Sequence, residues 1–333
     1  MINNFVEYRG LIERKLTEFL AEESYRSKSL NNTFTYSLYN PINYVMSGGG
    51  KRIRPILVLL ACEAFGGKAQ DAINAAIAVE ILHNFTLVHD DIMDNASTRR
   101  GKETVHQKWD VNSAILVGDE LIGLSYRSLI LSNTSRIASV VKVFTDGVIE
   151  VCEGQAMDKE FETRDEVSIY DYIIMIRKKT AELLKTSAVI GAIIGGSSDE
   201  EVKKISVYAE NVGLAFQIQD DLLDIIANEN EFGKKIGGDI VERKKSYLYT
   251  KALELLQGSK KNEFIKCYSS NVTNGENVSK IINVYNELCV IETARNEIKR
   301  LTAVANKSLD CIKDNHFRLK LEQFSDMLLN RNY

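Results

Sequence analysis

Aspartate occurs twice in one five-residue spelling, Asp90-Asp91-Ile92-Met93-Asp94 and, 130 positions later, Asp220-Asp221-Leu222-Leu223-Asp224. On a helix, at 100° per residue, the first and fifth positions of DDxxD lie almost one above the other and the second flanks them. Three carboxylates so placed at a helix end can hold divalent cations through oxygen. Hard oxygen ligands with positions left over for phosphate oxygens suit Mg²⁺, with Mn²⁺ as a substitute, better than zinc or copper. One such motif alone is most often a solvated acidic face. Here each copy follows an apolar run, Asn84-Phe85-Thr86-Leu87-Val88-His89 and Gly213-Leu214-Ala215-Phe216-Gln217-Ile218, so the acids read as the ends of buried helices. Facing one cavity, the two clusters would make a site for metal-bound diphosphate.

Basic residues stand beside the acids. They occur in Gly48-Gly49-Gly50-Lys51-Arg52-Ile53-Arg54-Pro55, in Arg99-Arg100-Gly101-Lys102, in Lys178-Lys179-Thr180, and in Gly233-Lys234-Lys235 running on to Arg243-Lys244-Lys245. The first is not a P-loop, since GxxxxGK[ST] is absent. Its glycine turn can still bring Lys51, Arg54 and backbone N–H groups onto one phosphate. Arg99 and Arg100 fall just past Asp94, where they can meet a ligand that metals hold. Each basic pair alone would read as a solvated face, and the acids beside it shift the balance.

The elements that position these residues are helical. Apolar residues recur at helical spacing over about residues 4–24, 36–46, 54–65, 69–93, 111–131, 135–158, 167–194, 199–226, 239–256, 278–304 and 307–330, and no window alternates as a strand. Only two prolines occur, Pro41 and Pro55, so the rest of the chain is open to long helices. No long linker divides the 333 residues, and the reading is a single all-α domain over 1–333.

Composition is that of an ordinary globular protein, 44% hydrophobic and 26% charged, and a net charge of −4 offers no basic field for nucleic acid. Five cysteines form no CxxC pair and read as reduced thiols, without a disulfide framework or zinc site. The first twenty residues are amphipathic with acids interspersed, unlike a signal or transit peptide. No run approaches 18 apolar residues without a charge, so no membrane span is expected and the cytoplasm is the default location. His83 and His89 are six apart, about 240° round a helix, and cannot share a metal as an HxxxH pair would. His89 and His106 read as hydrogen-bonded core residues.

From about residue 35 to 255 the chain resembles the trans-isoprenyl diphosphate synthases, or polyprenyl synthetases. The resemblance rests on GGGKRIRP, VEILHNFTLVHDDIMDNASTRRGK, GQAMD around Gln155 and Asp158, KKT at 178–180, FQIQDDLLD at 216–224 and FGKKIGGDIVERK at 232–244, in the family's order. It implies a bundle of long antiparallel helices around a central cavity, generally a homodimer, that condenses isopentenyl diphosphate with an allylic diphosphate (dimethylallyl, geranyl or farnesyl). By the same resemblance Asp90, Asp91, Asp94 and Asp220, with Asp221 and Asp224 less directly, bind Mg²⁺ on the allylic diphosphate, and Arg99, Lys179 and Lys234 contact that diphosphate. Lys235 competes with Lys234 for this role by its distance to Gly237. Lys51, Arg54, His83 and Arg100, with Gly50 at the turn, hold isopentenyl diphosphate, and Lys244 helps to cover the site. Thr180, the Lys179 carbonyl, Gln217 and Phe216 are candidates to steady the allylic carbocation.

Phe85 lies five positions before Asp90, about 7 Å down a helix axis, and Leu82 is on the same face one turn deeper. An aromatic residue at this place followed by a small one, here Thr86, resembles short-chain enzymes making geranylgeranyl diphosphate. Farnesyl diphosphate or a longer chain is the alternative product. Leu116 and Val117 are alternative floors for the growing chain, and Phe85 can also be read as core packing. A class I terpene cyclase would lack GGGKRIRP, and a noncatalytic subunit of a heteromeric synthase would be expected to have lost an aspartate cluster.

Overall fold

A computed structural model describes residues 5–29, 36–226, 237–269 and 275–329. In chain order these form α1 (Val6–Ser29), α2 (Tyr36–Met46), α3 (Ile53–Ala64), α4 (Ala69–Met93), strands β1 (Thr98–Arg99) and β2 (Lys102–Glu103), α5 (Val105–Lys108), α6 (Val111–Leu129) and α7 (Ile137–Glu162). There follow α8 (Ile169–Ile176), a π-helical turn (Arg177–Ala181), α9 (Glu182–Gly195), α10 (Asp199–Ile226), α11 (Gly238–Val241), α12 (Tyr247–Leu255), α13 (Gly258–Ser269), α14 (Gly275–Glu287), α15 (Val290–Ser308) and α16 (Asn315–Leu329). The chain is all-α, and among the described residues the one sheet is the β1–β2 hairpin. Two compact units arise, each from two stretches of chain: Met1–Thr145 with Thr186–Val202, and Asp146–Lys185 with Lys203–Tyr333.

In the first unit α4 is the core helix. Ala72, Ala75, Ala76, Ala78, Val79 and Ile81 are fully buried, so it is apolar on nearly all sides. Its length and composition would also let it cross a membrane, but 72% of its apolar window is buried inside protein, as befits a core helix. Helices α3 and α6 pack along it. Gly118 of α6 makes that approach close, because a Cβ there would stand 2.0 Å from His89 Nε2. Pro55 sits in the first turn of α3, where its missing N–H costs nothing. Asp110 caps α6 by accepting the Ser113 N–H at 2.8 Å.

The second unit has an aromatic interior: Tyr172, Tyr208, Tyr249, Tyr268 and Tyr285 are all fully buried. A buried phenol is usually partnered through its hydroxyl, and of these five only the Tyr285 hydroxyl has no partner among the described residues. Tyr208 donates to the Leu321 carbonyl at 2.7 Å, Tyr249 to the Asp165 carbonyl at 2.6 Å, and Tyr172 to Asp221 at 2.6 Å. The last ties this interior to one of the two acidic motifs.

Three expected helices take a different form, and one helix is unforeseen. The span 239–256 splits into α11 and α12, with Arg243 at φ 57° between them, and 278–304 splits where Cys289 takes φ 54°. Both are left-handed positions without the glycine that would mark them. Helix α13 falls where none was expected, since only Phe264 and Tyr268 along it are buried. The span 167–194 is interrupted by the π-helical turn. A hairpin, also unforeseen, joins β1 to β2 through Arg100 and Gly101, at φ 53° and 74°, the signature of a two-residue type I′ loop.

Candidate active site

In the first unit the glycine turn, His83 and the hairpin come together. The Arg100 guanidinium donates to the Gly49 carbonyl, and a Cβ on Gly50 (φ 150°) would lie 3.2 Å from Arg100 Nη1. Arg54 Nη1 lies 3.3 Å from His83 Nε2, while Arg54 Nε is buried with no hydrogen-bond partner. Burial, with Arg100 adding to it against Glu80, pushes the Arg54 guanidinium down to about 10. Burial and then Arg54 and Arg100 hold the His83 imidazole well below its ordinary value, and burial lowers Arg100 as well. Packing like charges this closely is unfavourable until an anion arrives. Lys51 stands exposed beside this cluster. The geometry therefore groups Gly50, Arg54, His83 and Arg100, four of the residues expected to bind isopentenyl diphosphate.

Arg52, which carries no expected role, is neutralised instead. Its guanidinium is buried, donating to Glu80 at 2.5 Å, to Glu13 at 2.8 Å and to the Met46 carbonyl at 3.3 Å. Arg52 takes φ 50° immediately before α3, an uncommon conformation for a bulky residue that the surrounding structure must enforce. The tether fixes the turn that carries Lys51 and Arg54. No spacing rule links residue 52 to residue 80, so only the fold reveals it.

Asp90, Asp91 and Asp94 end α4, where the helix dipole favours a cation. Asp94 is exposed, Asp90 half-buried, and Asp91 buried, accepting from Arg99 Nε at 2.6 Å. Burial raises the Asp91 carboxyl while Arg99 opposes the rise. A cavity of about 50 Å³ is lined by Gly48, Asn84, Asp91, Arg99 and Arg100 among others, so Asp91 and the first glycine of the turn open on one cleft.

One turn and a half below, Phe85 is buried edge-on to the His89 ring with centroids 4.8 Å apart. Leu82 is buried, and the half-buried Thr86 donates its hydroxyl to the His83 carbonyl at 2.8 Å. Two expectations change here. Leu116 is 58% exposed and cannot floor an interior tunnel, unlike the fully buried Val117. His106 is no hydrogen-bonded core residue, for both ring nitrogens are buried without a partner, whereas His89 is half-buried with Nε2 3.3 Å from the Ile115 carbonyl.

In the second unit the other acidic motif lies on α10. Asp220 is exposed. Asp221 is buried and accepts from Gln217 at 2.9 Å, from the Tyr172 hydroxyl at 2.6 Å and from the Tyr247 N–H at 2.7 Å. Burial raises its carboxyl against the pull of these three donors. Asp224 accepts the Asp239 N–H at 3.0 Å. Burial and the charges of Asp221 and Asp224 push the Asp239 carboxyl up as well, opposed by Lys244, whose ammonium is 3.7 Å from Asp239 and 2.7 Å from Glu242.

On the π-helical turn Lys179 pairs with Asp158 at 2.5 Å, and the Thr180 hydroxyl donates to Gln217 Oε1 at 2.9 Å. Gln217 thus links Thr180 to Asp221, with Phe216 half-buried next to it. Tyr172 and Asp239 are members of this network to which the sequence assigned no role. Lys234 and Lys235 lie outside the described residues.

Among the described residues no three His, Cys, Asp or Glu side chains are gathered tightly enough to enclose a metal by themselves. An ion that keeps several waters and is completed by substrate oxygens fits such a donor set, and that is the habit of Mg²⁺.

Comparison with known proteins accords with this geometry. The polyprenyl synthetase family matches residues 35–285. The chain is 35% identical to the geranylgeranyl pyrophosphate synthase of Geoglobus acetivorans over 336 residues, covering 100% of both chains. It is 34% identical to the geranylfarnesyl diphosphate synthase of Natronomonas pharaonis, covering 89% of this chain and 90% of the other. The crystal structure of geranylgeranyl pyrophosphate synthetase from Pyrococcus horikoshii Ot3 superimposes with a TM-score of 0.91 at 35% identity, covering 99% and 98% of the two chains. The all-α fold, the family match and these relatives define a trans-prenyltransferase, which joins isopentenyl diphosphate to an allylic diphosphate. The chain belongs to the polyprenyl synthetase family.

Proposed function

We propose that the enzyme makes geranylgeranyl diphosphate, using Asp90, Asp91 and Asp94 with Asp220, Asp221 and Asp224 to bind Mg²⁺ on the allylic diphosphate. Arg99, Lys179 and Lys234 are its protein contacts to that diphosphate. Lys51, Arg54, His83 and Arg100, over the Gly50 turn, take the diphosphate of isopentenyl diphosphate, and Lys244 helps to cover the site. The observation that carries this reading is the Arg54–His83–Arg100 cluster at the glycine turn, where Arg54 Nη1 lies 3.3 Å from His83 Nε2 and the Arg100 guanidinium donates to the Gly49 carbonyl, so that two fixed positive charges and an imidazole await one anion.

Breaking the allylic C–O bond places negative charge on the departing diphosphate. Bound Mg²⁺ supplies Lewis-acid stabilisation of that charge. Arg99 and Lys179 add fixed positive charge at the same group, and such stabilisation is usually the largest catalytic contribution. Thr180, the Lys179 carbonyl and Gln217 offer dipoles to the carbocation and Phe216 offers a π-face. The double bond of isopentenyl diphosphate then forms the new C–C bond, and the proton that leaves goes to the released diphosphate.

Phe85, buried with Leu82 below the first acidic cluster and followed by Thr86, supports a C20 product. The names of the relatives point the same way, although a geranylfarnesyl enzyme stands at nearly the same identity. We further propose a homodimer, supported by the apolar residues that α6 and its ends leave exposed, Val111 (48%), Leu116 (58%) and Ile130 (58%). A cytoplasmic location is supported by five free thiols, the state a reducing compartment maintains.

Incubating the protein with Mg²⁺, isopentenyl diphosphate and each allylic starter, then sizing the products, tests the reading. A C20 product is expected. Products confined to C15 or running past C25 would overturn the chain-length assignment, and the absence of any prenyl product would overturn the site.

A further inference from the structure

The π-helical turn at Arg177–Ala181 interrupts what the sequence pattern makes a continuous helix. The Glu182 N–H donates to the Arg177 carbonyl five residues back, where an α-helix would use the fourth. Such turns are rare, occur mostly as single insertions within α-helices and are frequent at functional sites. Compared with an uninterrupted α-helix, one extra residue rotates everything after it by about 100° relative to everything before it. The direction in which Lys179 and Thr180 project depends on that rotation.

Two glycines embrace the turn. On α7, a Cβ at Gly154 would stand 2.3 Å from the Lys179 backbone nitrogen, 2.7 Å from the Lys178 carbonyl carbon and 2.8 Å from Lys178 Cβ. On α10, a Cβ at Gly213 would stand 2.5 Å from Ala181 Cα and 2.6 Å from Ala181 Cβ. The nearest opposing atoms belong to the main chain, so rotating a side chain cannot relieve either clash. Glycine is a poor helix former, and both positions lie well inside helices where alanine would otherwise serve better. The side chains of the turn are latched to the same two helices: Lys178 to Glu150 and Glu153 and Lys179 to Asp158 on α7, and Thr180 to Gln217 on α10.

The geometry points to Gly154 and Gly213 as positioning residues, a two-sided clamp that holds the π-helical turn and through it sets the Lys179 ammonium and the Thr180 hydroxyl for the allylic diphosphate and the carbocation. This rests on the assignment of Lys179 and Thr180 proposed above. The test uses the full-length enzyme with Gly154→Ala, Gly213→Ala and, as a control for steric crowding elsewhere, Gly191→Ala, whose Cβ would meet the Val58 carbonyl oxygen at 2.2 Å. Steady-state constants for both substrates are measured beside Tm.

The clamp variants are expected to lose at least about tenfold in kcat and to raise KM for the allylic diphosphate, with KM for isopentenyl diphosphate held within about twofold. Gly191→Ala is expected to lower Tm and leave the constants of the folded enzyme unchanged. Wild-type constants in both clamp variants, or losses matching those of Gly191→Ala, would overturn the proposal. Should an alanine variant fail to fold, Ala181→Gly, which loosens the contact of the turn with Gly213 without adding an atom, carries the same comparison. Lys179→Ala separates the two ways of failing. If it raises the allylic KM while the glycine variants do not, the clamp alone falls. If it leaves that KM unchanged, the assignment of Lys179 falls and the clamp's role with it.

Discussion

At the end of α4, Asp91 meets the half-exposed Arg99 at 2.6 Å, whereas its counterpart Asp221 on α10 accepts hydrogen bonds from Tyr172, Gln217 and the Tyr247 N–H. The basic residues differ in the same sense. In the first unit Arg54 and Arg100 crowd His83, and their hydrogen bonds run to the His83 ring and the Gly49 carbonyl, neither a carboxylate. In the second unit Lys178 and Lys179 are each latched to carboxylates of α7. One motif, with the same aspartate spacing, therefore sits once in an electrostatically strained pole that an anion would relax and once in a framework already satisfied by the protein. Spelling gives the chemistry, and wiring decides how much of it is also architecture.

The widest test of this comparison is rate. If both clusters hold metal, Asp90→Asn and Asp220→Asn should each lower kcat by more than the roughly 10²- to 10³-fold that one oxyanion-type donor contributes, with Tm nearly unchanged because both side chains reach solvent. A large loss from one and none from the other would mean that only one motif does the chemistry. The strained pole comes next: Arg54→Ala or Arg100→Ala should raise KM for isopentenyl diphosphate by about 10- to 150-fold, from the 1.5–3 kcal/mol of a charged hydrogen bond. Equal changes in the allylic KM would show the poles to be misassigned.

Stability sharpens the contrast between the second aspartates. Asp221→Asn sets an amide N–H₂ against donors in the interior and should cost about 1.5–3 kcal/mol, seen as a Tm lower by several degrees. Asp91→Asn gives up a pair whose arginine is 37% exposed, worth about 0–1 kcal/mol. Similar Tm losses would erase the distinction drawn here.

His83 brings pH into the comparison. Its folded value is held down by burial and by Arg54 and Arg100, so folded and unfolded rings are both neutral above about pH 6.5. As pH falls below that, the unfolded ring takes up a proton that the folded ring refuses, and stability declines toward the depressed folded value. His83→Gln should flatten that part of the stability profile. NMR should find the wild-type ring untitrated near pH 6.5, and inorganic diphosphate should move its titration upward. The smallest effect on rate belongs to Phe85→Ala, which should lengthen the main product by at least one isoprene unit while sparing the first condensation. Its packing against His89 predicts a stability cost approaching the 3–5 kcal/mol of a buried phenylalanine.

Much of this was legible beforehand, and the gaps have physical reasons. Helices 36–46, 69–93 and 199–226 keep their expected limits, because periodic apolar faces between polar or glycine breaks leave the backbone few alternatives. The breaks at Arg243 and Cys289 were hidden since non-glycine residues adopt the left-handed conformation there. Nothing in the letters RKKTA announces a π-helical turn, which packing against Gly154 and Gly213 accompanies. The grouping of Gly50, Arg54, His83 and Arg100 was read from motif resemblance and is matched by geometry. The Arg52–Glu80–Glu13 tether and the Tyr172 and Tyr247 donors to Asp221 join residues 26 to 49 positions apart, a range over which no local periodicity operates.

The central claim, that this site joins an allylic group to isopentenyl diphosphate, is tested most directly by stoichiometry. Diphosphate release and isopentenyl diphosphate consumption should be followed together on the wild-type enzyme, with and without EDTA. The account predicts one diphosphate released for each isopentenyl diphosphate incorporated, with both ceasing when metal is removed. Diphosphate released without isopentenyl diphosphate consumption, or full turnover in EDTA, would contradict it.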